Sequence, residues 1–364
     1  MDIRLPYGRH QRFRCRTGDI TIRGQVERAT FPIAAAWFCL NGGARQVLYV
    51  EQYRDEDTDW VHDYKATPAE LRCREQGEFC VEIPTDDAGL RPGTNDVAIT
   101  IRDATGFEQD FALQVDWNPE PLPLPLDLRD LRQFARLQDV GQVLNGAFDL
   151  DHDLNVIRSR SPVAPDALLV LGSPHASQEA TYAIRFLELA GAKWLGCSDF
   201  FAGLTEGTPP RGIKVGWCSA GMAALSPSDG ARAFIAWGDH SGDPREWAIA
   251  THPAAPVQVQ RQTLYRVRHQ IALTDGNHRV RWRIWRDGEP EPAHWTCTEE
   301  SCAVPTHLPR HSAASFALFQ HMGHSIEWSD IVVRDYIPQA GDAPFRDPAA
   351  SRVPFLRRQR PGAF

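Results

Sequence analysis

Thr263-Leu-Tyr-Arg-Val-Arg-His-Gln-Ile-Ala-Leu-Thr-Asp-Gly-Asn-His-Arg-Val-Arg-Trp-Arg-Ile-Trp-Arg286 alternates apolar and polar residues on both sides of an Asp-Gly pair. Strict alternation is the mark of a strand with one face buried, and Asp-Gly between two such runs marks a two-residue hairpin turn. With Asp275-Gly276 in the turn, Thr274 pairs with Asn277 and every later pair follows. One face then carries Ile271 opposite Val280, His269 opposite Trp282 and Val267 opposite Ile284, which is the core face. The other carries Ala272 opposite Arg279, Gln270 opposite Arg281, Arg268 opposite Arg283 and Arg266 opposite Trp285.

That second face is a strip of five arginines, one glutamine and one tryptophan. Like charges directly opposite one another destabilise a sheet, so the strip requires compensation. Two sources remain open. Acidic side chains on neighbouring strands would supply it internally. Alternatively the strip is a ligand face, with Trp285 stacking on a sugar ring and the guanidinium forks of Arg266, Arg268, Arg281 and Arg283 taking carboxylate, sulfate or phosphate groups.

Outward from the hairpin, the chain reads as strands almost throughout. Before residue 118 the runs are Asp19–Arg28, Ile33–Leu40, Gln46–Tyr53, Ala69–Arg74, Glu78–Ile83, Asp96–Arg102 and Phe107–Trp117, with Asn41-Gly42-Gly43 a tight-turn signal. Asn118 to Leu126 holds four prolines in nine residues, which predicts an extended, semi-rigid spacer. Leu128, Leu131, Phe134 and Leu137 lie close to helical spacing, predicting one short helix over 127–139 with Asp127 as its N-cap. Strands resume after Val140, among them one from Val143 to Ile157. The expected organisation is a sandwich over 1–118, a linker and helix over 119–139, a larger sandwich over 140–338 and an extension over 339–364. The fold class is all-β.

Leu90-Arg-Pro-Gly-Thr-Asn-Asp-Val-Ala-Ile-Thr-Ile-Arg-Asp-Ala-Thr-Gly106 resembles the late strands of bacterial immunoglobulin-like accessory domains. Around seven short strands in about 100 residues fits that sandwich. The second half resembles the concanavalin A-like lectin/glucanase group of jelly rolls, which includes laminin-G-like modules. Two stretches carry the likeness. Trp285 to Trp295 follows the hairpin as W-x-D-G-x-x-E-P-x-x-W, and Phe316-Ala-Leu-Phe-Gln-His-Met-Gly-His-Ser-Ile-Glu-Trp-Ser-Asp-Ile-Val-Val-Arg334 is similar to the group's final strands. This likeness implies a jelly-roll sandwich that recognises an oligosaccharide or polysaccharide, with or without cleaving it. The E-x-D-x-x-E strand of the group's family-16 hydrolases is missing from the sequence, which counts against that mechanism.

Eleven of the thirteen histidines follow residue 150. A histidine beside a carboxylate is equipped for general acid–base work near neutral pH, so His240 (next to Asp239) and His321 with Glu327 are the catalytic candidates. Each is also readable as a surface or loop residue, and His269 opposite Trp282 as a hydrogen-bonded core histidine. Asp149, Asp151 and Asp153 alternate, and on one strand they would share a face and offer a Ca²⁺ site; they lack the glycine turn and distal glutamate of an EF-hand loop. Of eleven tryptophans, Trp282 and Trp328 read as core, while Trp237, Trp247, Trp285 and Trp295 are ligand candidates.

Composition narrows the classes. The net charge of −8 opposes a general nucleic-acid binder, and no apolar run approaches the ~20 residues of a membrane span. The arginine-rich first 17 residues hold no apolar signal-peptide core, so the expected location is cytoplasmic, or secreted or periplasmic if the chain is a mature form. Eight cysteines show no zinc spacing; Cys297 and Cys302 flank a short loop and either bridge or, in a cytosolic protein, stay reduced. The expected function is recognition of a glycan on the concave face of the jelly roll, acidic by the arginine strip, with hydrolase or lyase chemistry open. The alternative is a laminin-G-like interaction or structural module, which predicts exposed apolar patches and no pocket.

Overall fold

In the computed structural model the described residues are 1–14, 18–52, 72–73, 75–160, 167–189, 194–200, 217–226, 230–237, 248–251, 258–274, 277–300, 313–321, 325–337 and 353–354. The first half contributes strands β1 (Asp2–Arg4), β2 (His10–Phe13), β3 (Asp19–Glu27), β4 (Ile33–Leu40), β5 (Gln46–Val47), β6 (Glu78–Pro84), β7 (Gly93–Asp103) and β8 (Glu108–Trp117). They form a three-stranded sheet, β1-β3-β6, and a five-stranded sheet, β2-β8-β7-β4-β5. Between the sheets lies one core that includes Ile20, Ile22, Phe79, Val81, Phe38, Ile99, Leu113 and Val115. Asn41 and Gly42 turn the chain between β4 and β5 with φ of 49° and 71°. Glycine takes such a backbone without strain and asparagine tolerates it, which is why Asn-Gly at this place signals the turn.

The second half supplies β9 (Leu126–Leu128), β10 (Gly141–Asn145), β11 (Phe148–Asp151), β12 (Val156–Ser159), β13 (Ala167–His175), β14 (Ser177–Phe186), β15 (Trp194–Phe200) and β16 (Trp217–Ser226). It continues with β17 (Gly230–Trp237), β18 (Ala248–Thr251), β19 (Leu264–Thr274), β20 (Asn277–Arg286), β21 (Cys297–Glu300), β22 (Ala314–His321), β23 (Ile326–Asp335) and β24 (Val353–Pro354). One sheet runs β10-β13-β22-β15-β16-β17-β18-β24 and the other β11-β12-β23-β14-β19-β20-β21, with β9 also on β23. Alternate residues of the two sheets meet in a second core, where Leu169, Leu171, Phe316 and Leu318 face Tyr182, Ile184, Val267, Trp282 and Trp328. The chain is all-β, two sandwiches in series.

Two local expectations are corrected. No helix forms over 127–139: Leu126–Leu128 pairs with β23, and 3-10 turns follow at Leu131–Gln133 and Leu137–Asp139. Leu128, Leu131 and Leu137 do bury one apolar face, but against the larger core from a strand and two turns. Asp127 holds the backbone and side chain of Arg129 instead of capping a helix. The strand expected over 143–157 is three strands, β10, β11 and β12, with the β11–β12 turn at 152–155. The proline spacer is docked: the Leu122 N–H donates to Ser173 Oγ at 2.7 Å, and Leu122 and Leu126 are buried.

The sandwiches are joined by polar contacts. Tyr7 Oη accepts the Phe148 N–H at 3.1 Å, and Gln142 Nε2 donates to the Asp19 carbonyl at 2.9 Å. Gln138 Nε2 donates to Gln11 Oε1 at 3.0 Å, while Gln138 Oε1 accepts the Arg12 N–H at 3.2 Å. Gln11 and Gln138 are both buried. Gln138→Ala leaves the Gln11 carbonyl and the Arg12 N–H without this partner, and an unsatisfied buried group costs about 1–3 kcal/mol. Urea titration is expected to show that loss as a lower midpoint at unchanged slope.

Candidate functional site

The hairpin register is the one read from the sequence, from Thr274↔Asn277 to Arg266↔Trp285. Val267, His269, Ile271, Val280 and Trp282 are buried in the core, which puts the arginine strip on the outer face of its sheet. Register then sets the strip in rows. One row crosses four strands as Arg334 on β23, Glu179 on β14, Gln270 on β19 and Arg281 on β20. The next runs Val332, Thr181, Arg268, Arg283, and the one after it Ser329, Ala183, Arg266, Trp285.

Compensation for the arginines comes from inside the protein. Arg266 donates to Asp287 at 2.6 Å and to Asp330 at 2.7 Å. Asp330 sits where β23 gains one extra residue against β14, with φ of 51°, a bulge that re-aims its side chain. Arg268 donates to Glu179 at 2.6 Å and to Glu291 at 2.5 Å. Arg283 pairs with Glu291 and donates to the Pro292 carbonyl at 2.7 Å. Glu291, Pro292 and Trp295 belong to the W-x-D-G-x-x-E-P-x-x-W segment, which folds back over the strip after β20. Hydrogen bonding from Arg268 holds the Glu291 carboxyl below the ordinary glutamate range, with the charges of Arg268 and Arg283 reinforcing it.

Where the row Arg334–Glu179–Gln270–Arg281 meets the end of β23, an open groove of about 540 Å³ forms. Trp295, Asp335, Tyr336 and Ile337 complete its lining. Hydrogen bonds run along its floor. Arg334 and Gln270 Nε2 both donate to Glu179, Arg281 Nε donates to Gln270 Oε1 at 2.6 Å, and Arg281 Nη2 donates to Tyr336 Oη at 2.6 Å. The guanidinium carbons of Arg281 and Arg283 each lie 4.5 Å from the Trp295 ring centroid, within cation–π range. The groove therefore presents carboxylate, amide, guanidinium and aromatic groups on rigid strands. This set suits a ligand with many hydroxyls and some apolar C–H surface.

No protein-family model matches the chain, and none of the curated proteins matches it in sequence. Among solved structures it is similar to a xylan β-1,4-xylosidase from Bacillus halodurans C-125, at 9% identity and a TM-score of 0.39, over 66% of this chain and 51% of that one. It is also similar to the carbohydrate-binding module CBM66 from Bacillus subtilis, at 7% identity and a TM-score of 0.34, over 54% and 95% of the two chains. A third likeness is a legume lectin-like domain from Entamoeba histolytica, at 9% identity and a TM-score of 0.37, over 55% and 92%. This chain spans about half the length of the xylosidase. Likenesses of this size transfer no residue roles.

Of the residues read as ligand-binding or as ligand candidates, Arg281 and Trp295 line the groove. Arg266, Arg268 and Arg283 are held by carboxylates, and Trp285 stands two rows away. The proposed catalytic set is not brought together among the described residues. Glu327 is buried at the other end of β23, bound by Arg158 at 3.1 Å and Arg185 at 3.3 Å. Eight residues of strand, about 26 Å, separate it from Asp335. His321 lies on β22 of the opposite sheet, with its side chain outside the described residues. His240, His324 and Trp247 lie outside them altogether, as does the side chain of Trp237. Asp149 and Asp151 share β11, but Asp153 falls in the turn. Asp149 pairs with Arg160, and Asp151 accepts the Leu154 N–H at 2.9 Å, so the three carboxylates do not converge as one strand would have made them. Among the described residues no cluster of three or more metal-ligating side chains occurs.

Glu179, Asp335 and Tyr336 were not singled out by sequence. The available signal was indirect. A strip of arginines on the outer face demands acids on the flanking strands, and Glu179 is the glutamate of β14 with outward parity.

Proposed function

We propose that this chain binds a saccharide in the groove between the Glu179–Gln270–Arg281 row and Trp295, without cleaving it there. In this reading the larger sandwich is of the concanavalin A-like kind and the smaller, immunoglobulin-like one supports it. The observation that carries the reading is the groove's lining: Glu179, Asp335, Gln270, Arg281 and Arg334 beside Trp295 and Tyr336. Carboxylates accept from sugar hydroxyls, guanidinium groups donate to them, and aromatic side chains pack on the C–H faces of pyranose rings. Arg266, Arg268 and Arg283 already have carboxylate partners, which removes the argument for an anionic ligand and favours a neutral one. A glycoside hydrolase needs two carboxyl groups flanking the scissile bond, and Glu179 is occupied by Arg268, Gln270 and Arg334. Four large apolar side chains stand exposed among the described residues: Val47 on β5, Phe107 in the β7–β8 turn, Leu154 in the β11–β12 turn and Ile337 after β23, far apart in the chain. That supports a groove binder over a broad apolar docking face.

The test is calorimetric titration with neutral and uronate-containing oligosaccharides, with mass spectrometry of the mixtures afterwards. A neutral oligosaccharide is expected to bind and to be recovered intact. Trp295→Ala is expected to cost about 1–3 kcal/mol of binding, roughly the worth of one aromatic contact. Binding untouched by Trp295→Ala and Asp335→Asn, or failure of the whole panel, sinks the proposal.

A further inference from the structure

The smaller sandwich holds a pair of thiols that the groove does not involve. Cys73 and Cys80 are buried, unbridged, and lie with their sulfurs 3.7 Å apart. A disulfide needs about 2.05 Å, so the sulfurs must close by about 1.7 Å. Cys80 lies on β6 directly across from Arg23 on β3. Arg23 Nη2 donates to the Arg72 carbonyl at 2.6 Å, which fixes the backbone next to Cys73, and Arg23 Nη1 donates to the Gly146 carbonyl of the larger sandwich. The Arg72 side chain is fully buried and donates to Glu82 at 2.6 Å. The two thiols thus share an enclosed site with two guanidinium groups, Arg23 and Arg72, against Glu82 and Glu78.

We propose that Cys73 and Cys80 are a redox-active dithiol that hydrogen peroxide oxidises to an intramolecular disulfide, with Cys80 as the attacking thiolate. The Cys80 sulfur attacks one peroxide oxygen, the O–O bond breaks, and with one proton the leaving oxygen departs as water. The Cys73 sulfur then attacks the Cys80 sulfenic acid, its S–H proton and the sulfenic hydroxyl leaving as a second water. Each sulfur gives up one electron in the net reaction, and the peroxide takes both. Cys80 is the attacking sulfur because it keeps 6% of its surface exposed where Cys73 keeps none, and because it lies directly across the β3–β6 pair from Arg23. The hydrogen bond with Cys73 holds the Cys80 thiol below its ordinary value against the cost of burial, and Arg72 and Arg23 add to it. The Cys73 thiol is pushed up by its hydrogen bond with Cys80, with burial acting in the same direction. A thiolate held by cations is the reactive form, whereas an apolar burial alone makes cysteine inert.

The reduced protein is treated in its folded state with hydrogen peroxide, remaining thiols are alkylated in urea, and tryptic peptides are weighed. Cleavage at Arg72 and Arg74 separates the two cysteines, so a disulfide joins two peptides and lowers their combined mass by two hydrogens. Expected are that cross-link, its reversal by dithiothreitol, and alkylated Cys39 and Cys197. In Cys73→Ser the reaction is expected to stop at a sulfenic acid on Cys80 that dimedone traps. In Cys80→Ser, Cys73 is expected to stay reduced at the same dose. Should a variant not fold, the rate on the unmodified chain carries the test, since it should be half-maximal below the ordinary thiol value of about 8.5. Both thiols surviving peroxide, oxidation of Cys73 in Cys80→Ser, or a rate that rises only through that ordinary value would each overturn the proposal.

Discussion

Asp199→Ala is expected to destabilise the protein by about 3–5 kcal/mol, the usual cost of removing one partner from a buried ion pair. Asp199 on β15 and His269 on β19 face each other across the larger core, both fully buried, with His269 Nε2 at 2.9 Å from each carboxylate oxygen. Burial works against the imidazolium, but the Asp199 carboxylate, with Cys197 beside it, more than offsets that and holds the His269 pKa well above the ordinary histidine value of about 6.5. Histidine therefore enters the fold charged. A group whose folded pKa is raised stabilises fully below its unfolded value of about 6.5, and that contribution is lost as pH rises through the folded value. Urea unfolding of the unmodified chain is thus expected to show stability falling from pH 6.5 upward, a slope that Asp199→Ala removes. Replacing both residues by apolar ones of similar volume is expected to restore most of the loss, because the pair's attraction does little more than repay desolvation. Equal stability of Asp199→Ala and the unmodified chain, or an unchanged pH slope, would refute the pairing.

That pair also shows where sequence reading stops. The alternation in Thr263–Arg286 places His269 on the buried face and fixes its cross-strand neighbour as Trp282, because period and turn chemistry are local. Its partner lies 70 residues away on the other sheet, and no spacing rule connects them. The same limit governs the groove. The arginine strip was legible, including which residues oppose which, since register follows from one Asp-Gly turn. Which acids neutralise it depended on strand order, with β14 between β19 and β23, and on how the segment from Asp287 to Trp295 folds back. The missed turn in Val143–Ile157 has a different cause. Asp151 and Asn155 stop the strand through side-chain contacts, Asp151 to the Leu154 N–H and Asn155, at φ of 56°, to the Leu131 N–H and the Arg129 carbonyl. Alternation continued across those positions in the sequence while the backbone had already reversed.

Glu179 is where stability and binding meet, and its substitution has the second large expected effect. Its side chain is 7% exposed and takes hydrogen bonds from Arg268, Gln270 and Arg334. Glu179→Ala removes the acceptor common to all three. Arg268 keeps Glu291, but Gln270, itself buried, loses the partner of its amide N–H, and Arg334 loses the carboxylate it donates to. A charge-assisted hydrogen bond contributes about 1.5–3 kcal/mol and a stranded buried donor costs a further ~1–3 kcal/mol. With one of the three donors already doubly held, the expected destabilisation is about 3–4 kcal/mol. Glu179→Gln keeps the shape and one acceptor, so it is expected to lose roughly half as much. Saccharide titration of Glu179→Gln separates the two roles. Reduced affinity with a folded protein means that the carboxylate serves the ligand through the row it organises, since Arg281 is aimed by Gln270 and Gln270 by Glu179. Unchanged affinity would leave Glu179 as a purely structural neutraliser of the strip and confine recognition to Asp335, Tyr336 and Trp295.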